Sequence, residues 1–142
     1  MKNLNVKSAL ISGAIIYVIG VSAFIGSFFI PVLSDPELQA NLVLSIAIVP
    51  SAMLGAYLYY RNNHLTNSLI LGSAFFVIAM FLDAVITVPV FVIPAGGDHI
   101  SFFTDPFFWM IGLEYILAVV FFRLLMKSYR ARKIAAQSKL IN

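Results

Sequence analysis

The chain has 142 residues, 61% of them hydrophobic and only 11% charged, with a formal net charge of +3 and no cysteine. Soluble domains carry about a quarter charged residues, so this composition excludes an ordinary water-soluble domain and makes lipid the main solvent. Without cysteine there is no disulfide exchange, thiolate metal site or cysteine nucleophile.

Residues 8–34 carry no charge and predict a first transmembrane helix at about 8–33. About 20 apolar residues cross the hydrocarbon core. Lys2 and Lys7 precede the run as in a signal peptide, but it is too long for such a segment and no small-x-small cleavage site ends it. Gly13, Gly20 and Ser27 recur at intervals of seven, with Gly26 beside the last. A stripe of small residues lets helix backbones approach closely in lipid, within the chain or between copies.

The second charge-free stretch predicts a helix at about 38–60. Asp35-Pro36 starts it, and Asp105-Pro106 starts the fourth. Aspartate at an N-cap accepts from an orphan backbone N–H, and proline in the first turn has no N–H to lose. Two independent helix starts would use the same chemistry, so the repetition does not imply a duplication. Pro50 frees the carbonyl of Ile46 in an α-helical register. Tyr57, Tyr59 and Tyr60 at the end of the helix read as an interfacial aromatic belt.

The third helix is expected at about 66–93 and is interrupted only by Asp83. Thr87 follows Asp83 by one turn on the same face, and Pro89 frees the carbonyl of Val85 in an α-helical register. The loop at 93–104 is the longest, with a Gly96-Gly97 turn. His99 in this loop and His64 in the preceding one read as solvated residues without an evident partner. Phe102, Phe103, Phe107, Phe108 and Trp109 then crowd one interface. They read as the second aromatic belt, with a lid over the bundle mouth as the alternative.

The fourth helix is expected at about 106–127 and carries Glu114, with a basic tail at 128–142. Every Lys and Arg falls at the N-terminus (Lys2, Lys7), in the second loop (Arg61), or at the end of the fourth helix and beyond: Arg123, Lys127, Arg130, Arg132, Lys133 and Lys139. By the positive-inside rule the termini and the second loop face the cytoplasm. The expectation is a single all-α membrane domain over 1–142, an antiparallel up-down-up-down bundle of four transmembrane helices, N-in and C-in, with sequential helices as neighbours. The basic tail fixes topology and is a candidate contact for anionic lipid headgroups. A homo-oligomer or a larger membrane complex is a further expected partner. No folded basic domain points to nucleic acid.

Asp83 and Glu114 are the residues that need a reason. An ionisable group inside a transmembrane segment costs about 2.5–3.5 kcal/mol on insertion scales and marks a functional-site hypothesis. From the helical rise, both lie about 3–4 Å outside the midpoints of their helices. Equal depth on adjacent helices predicts a facing pair that shares a proton. With Thr87, the pair forms a candidate site for a proton, a cation, or a small cationic or lipid-like solute. The alternatives are an accessory subunit in which the acids are interhelical hydrogen bonds, and third, an intramembrane acid–base enzyme. No HExxH, GxSxG or P-loop pattern occurs, and no cofactor or metal motif.

The runs LDAVITVP at 82–89, PAGGD at 94–98 and SFFTDPFFW at 101–109 resemble a family of small bacterial four-helix membrane proteins known only as a domain of unknown function. The likeness covers about residues 8–126. It implies four spans and a bacterial inner membrane, and brings no activity with it.

The orientation is testable because the chain lacks cysteine. Cysteines placed at Ser34 and Ser101 are expected to react with an impermeant thiol reagent outside intact cells, and one at Asn62 only after permeabilisation. The reverse pattern would invert the topology.

Overall fold

The computed structural model describes residues 3–62 and 64–139. Lys2, one of the residues behind the orientation, and residues 140–142 of the tail lie outside the described residues. Helix α1 spans Val6–Ser27, α2 Pro36–Tyr60, and α3 Ser68–Leu82, continued by a π-helical segment Asp83–Val92. A short α4 covers His99–Thr104 and α5 covers Pro106–Lys139. Four of these helices, counting α3 with its π segment as one, are long and apolar enough to cross a membrane. Only 22–33% of each apolar window is buried inside the chain, which leaves most of the hydrophobic surface outward, as lipid solvation requires.

The expected cap at Asp35 forms, and Asn5 and Asn67 cap two further helices. Asn5, Asp35 and Asn67 each accept a hydrogen bond from a backbone N–H in the first turn of the helix that follows. Two boundaries differ from expectation. Helix α1 stops at Ser27 because Gln39 captures the chain beyond it. The Gln39 amide donates to the carbonyls of Ser27 at 2.7 Å and Ile30 at 2.9 Å. Its oxygen accepts from the N–H groups of Val32 and Leu33, both at 2.8 Å. An amide has two donor hydrogens and two acceptor lone pairs, so this buried side chain is fully used. At the other end, α5 does not stop at the interface. It continues through the basic tail, so the tail residues up to Lys139 are helical.

The arrangement of neighbours also differs. α1 packs on α2 and α3, and α5 packs on the same two, while α2 and α3 touch only marginally across the diagonal. The order around the bundle is therefore α1–α2–α5–α3. The loop at 61–67 reaches across because seven residues extend up to about 23 Å, well beyond the diagonal of a bundle with helices about 10 Å apart. The loop is anchored by Tyr59, whose hydroxyl bonds Thr66 Oγ1 at 2.7 Å, and by Tyr60, which donates to the Thr66 carbonyl at 3.1 Å. His64 bonds Ser8 Oγ at 3.0 Å, so it has the partner that its sequence context did not reveal.

The basic half of the bundle is densely filled by Ile16, Ile48, Ala52, Tyr59, Leu71, Phe75 and Val119. Small residues set the close approaches. A Cβ on Gly13 would lie 3.0 Å from Ile78, and one on Gly20 would lie 3.2 Å from Leu44 and Ile48, so the α1 stripe packs within the chain. Gly72 is tighter: a Cβ there would lie 2.8 Å from the Ile116 Cα, a backbone atom that cannot rotate away. Gly72→Ala is therefore expected to separate α3 from α5 and cost about 1–3 kcal/mol, read as a lower thermal midpoint in detergent. Gly26 has open space around it. Gly26→Ala is expected to leave the midpoint unchanged or raise it, since alanine favours helix by up to about 1 kcal/mol.

Candidate functional site

Away from the basic half, the four long helices splay around a cavity of about 670 Å³. Its walls are aromatic and aliphatic, with contributions from Phe24, Phe28, Phe76, Phe91, Phe102 and Phe108. Polar groups are few: Tyr17, Asp83, Thr87 and Tyr115 deep inside, and Glu37, Asn41, Ser101 and Asp105 towards the mouth. From Glu37 to Ile48, both on its wall, the helical rise gives a depth of about 16 Å.

The floor is a chain of hydrogen bonds. Thr87 Oγ1 donates to Asp83 Oδ1 at 2.6 Å. Its single hydrogen being used, Thr87 accepts from the Tyr17 hydroxyl at 2.8 Å. Tyr17 also lies 3.4 Å from the Leu82 carbonyl. The relay runs from Tyr17 through Thr87 to Oδ1 of Asp83, a cavity-lining residue whose Oδ2 is uncommitted to any described side chain.

Local backbone geometry sets this up. From Asp83 onward the helix widens to i→i+5 bonding, seen in Ile93 N–H to Val88 O at 2.9 Å. Pro89 lies in this segment. With no N–H of its own, it leaves the carbonyl five residues back, Ala84, without its helical donor. The carbonyl freed in this register is that of Ala84 and not of Val85, which is exposed and off the cavity wall. His99 supplies the missing donor, its Nε2–H reaching Ala84 O at 3.1 Å. Pro50 and Ile46 on α2 likewise lie outside the cavity lining.

Glu114 goes elsewhere. It accepts from Ser45 Oγ at 2.5 Å, tying α5 to α2. Its Oε2 is buried with no hydrogen-bond partner among the described residues. No hydrogen bond joins Glu114 to Asp83, and Glu114 is absent from the cavity wall. The two acids match in depth but not in azimuth. One residue on an α-helix turns about 100°, and it is Tyr115, the next position, that faces the cavity. Phe76 fills the α3–α5 contact against Gly112 and Tyr115, so the expected facing pair is not formed.

The third loop contributes to the cavity wall through Ala95, Gly97, Ser101 and Phe102. Gly96 adopts a positive φ of 93°, a backbone state that favours glycine, and the chain then enters α4. Asp98 caps α4, accepting from the Ser101 N–H at 2.7 Å, while Ser101 Oγ accepts from the Asp98 N–H at 3.0 Å. Phe102 and Phe108 line the cavity. Trp109 is outward-facing, half-exposed, and donates to the Phe103 carbonyl at 2.9 Å. The aromatic cluster is thus divided between the cavity wall and the outer surface.

Three carboxyl groups line the cavity, and no Lys, Arg or His does. The arrangement suits a guest that carries positive charge and apolar surface. Sequence reasoning reached Asp83 and Thr87 but missed Tyr17 and Tyr115. A signal for both was present: tyrosine belongs at membrane interfaces, and one at mid-span needs a partner for its hydroxyl. No family model matches the chain, and no curated protein or solved structure is significantly similar to it.

The cap on α4 generates a pH dependence. The Ser101 backbone N–H holds the Asp98 carboxyl below its usual range. A depressed carboxylate stabilises the fold above its unfolded value of about 3.9, and that contribution is lost as pH falls through the still lower folded value. Faster hydrogen exchange at the Ser101 amide, after correction for intrinsic rates, is expected below about pH 4. Asp98→Asn retains a pH-independent cap, and Asp98→Ala loosens α4 at every pH.

Proposed function

We propose that the protein binds a lipophilic monocation, an apolar amine or onium ion, taken into the cavity from the acidic end of the bundle, and that Asp83 is its counter-ion. The carrying observation is the combination of a 670 Å³ aromatic cavity with three acids and no base in its wall. Ligand pockets run about 300–1,000 Å³ and are mostly apolar with a few placed polar groups. Aromatic faces attract cations by about 0.5–2 kcal/mol each, and a carboxylate in such surroundings adds charge selectivity. A bare metal ion is less well served, since hard cations want about six oxygen ligands at short range and the floor offers a widely spaced few. Transport follows from binding if the bundle also opens towards its basic end. This reading includes residence in a bacterial inner membrane, N-in and C-in, among the small four-helix proteins that the sequence resembles.

A second reading keeps the protein as an accessory subunit. It draws on the Glu114–Ser45 bond, which joins two helices without touching the cavity. The acid–base enzyme loses its support, because it required two carboxyls that meet.

The test uses two ions of the same shape and opposite charge. In purified full-length protein, tetraphenylphosphonium is expected to raise the thermal midpoint and tetraphenylborate to leave it unchanged. Ligand at a hundred times its Kd stabilises by about 2.7 kcal/mol. Asp83→Asn preserves the acceptor for Thr87 and is expected to abolish the response while the ligand-free protein stays folded. Glu114→Gln is expected to retain it. Equal responses to both ions, or an unaffected Asp83→Asn, would remove the counter-ion role.

A further inference from the structure

At the basic end of the bundle a second, smaller cleft of about 70 Å³ lies between α2 and α5. Arg61, Arg123 and Arg130 line it together with Tyr57, Tyr60 and Phe122. All six acids of the chain sit in the other half of the bundle or in the loops beyond it, and none lines this cleft. Three arginines therefore share the lining of this cleft without a carboxylate among them.

The cleft is built rather than incidental. The Arg123 guanidinium lies over the Tyr60 ring, 4.2 Å from its centroid. A contact to the ring consumes no N–H donor, and Arg123 makes no side-chain hydrogen bond among the described residues, so its donors serve a planar or bidentate acceptor. Tyr60 is itself fixed, buried on all but 8% of its surface, bonded to the Thr66 carbonyl, and set edge-on against Tyr59 at 5.4 Å. Tyr59 is fully buried and accepts the Asn5 N–H at 2.9 Å. Arg130 follows Arg123 by seven residues and so shares its helix face, while Arg61 caps the end of α2.

Depth identifies the occupant. From Pro106 to Arg123 the helical rise is about 26 Å, close to the ~30 Å hydrocarbon thickness, so Arg123 stands at the headgroup boundary. Within a turn or two of the cleft, Leu54 on α2 and Phe121 on α5 are exposed apolar side chains on the surface of the bundle. The carbonyl end of α2 opposes an anion with about half a charge, which three full positive charges outweigh. A metabolite pocket starts near 300 Å³, so this cleft takes a single small anionic group.

We propose that the cleft between α2 and α5 binds the phosphate of an anionic phospholipid in the leaflet at the basic end, with Arg61, Arg123 and Arg130 as its ligands. The acyl chains lie along the apolar surface of the same two helices. This site is independent of the cation cavity.

The test is lipid retention by the full-length protein in detergent, read by native mass spectrometry alongside the thermal midpoint. Dioleoylphosphatidylglycerol is expected to stay bound and raise the midpoint, and dioleoylphosphatidylcholine to do neither. Arg61→Gln and Arg130→Gln, which leave the Arg123–Tyr60 stack in place, are each expected to weaken retention about fivefold. Arg123→Gln is expected to do at least as much. Arg132→Gln with Lys133→Gln, which removes two tail charges outside the cleft, is expected to keep retention near the wild-type value. An equal loss in that tail variant would mean diffuse attraction to basic charge and overturn the site. Equal retention of the two lipids would also overturn it. Inorganic phosphate reproducing the full stabilisation would assign the cleft to a soluble anion instead and overturn the lipid assignment.

Discussion

Hydrocarbon offers no hydrogen-bond partners, and this constraint governs where polar atoms sit in the bundle. The four long helices satisfy their own backbones, and the exceptions show the rule most clearly. Where α1 ends early, a single Gln39 side chain answers four backbone groups of the following turn. Where Pro89 withholds a donor inside the π segment, His99 from the short outer helix provides one. Where α2 ends, Tyr59 and Tyr60 hold the crossing loop through Thr66. Each repair also ties together parts of the chain that are distant in sequence, so polar satisfaction and tertiary structure are one problem here.

The same constraint explains the cavity floor. A lone carboxyl among aromatics is expensive, and Asp83 is accepted because Thr87 donates to it and Thr87 is in turn held by the Tyr17 hydroxyl. The relay consumes one carboxyl oxygen and leaves the other without a partner among the described residues. Meanwhile the π-helical widening begins at Asp83 itself. Local π geometry inside α-helices is common at functional sites. Here it coincides with the one acid deep in the cavity, and not with Glu114, whose helix is regular and whose partner is a serine on α2.

Charge is polarised along the bundle. The acids lie in the half of the bundle that holds the large cavity or in the loops beyond it, and the arginines at the opposite end, so the molecule has two concave features of opposite preference. One is wide, aromatic and acidic; the other is narrow and basic. Their separation by the packed half of the core, with Ile16, Phe75 and Val119 fully buried, means that each is shaped by its own residues. A guest in one has no direct contact with the other.

The four long apolar helices, the caps at Asp35 and Asp105, the polarity of the two ends and the one-turn contact of Thr87 with Asp83 were all legible in the sequence. These follow from composition, local hydrogen bonding and a one-turn spacing on a single helix. The order of helices around the bundle, the separation of Glu114 from Asp83 and the recruitment of Tyr17, Tyr115 and His99 were decided by the tertiary structure. Axial depth accumulates at a fixed rise per residue and can be counted along a chain. Azimuth cannot, because it depends on which helices pack together, and a step of one residue turns a side chain by about 100°. That rotation sends Glu114 to Ser45 and Tyr115 to the cavity.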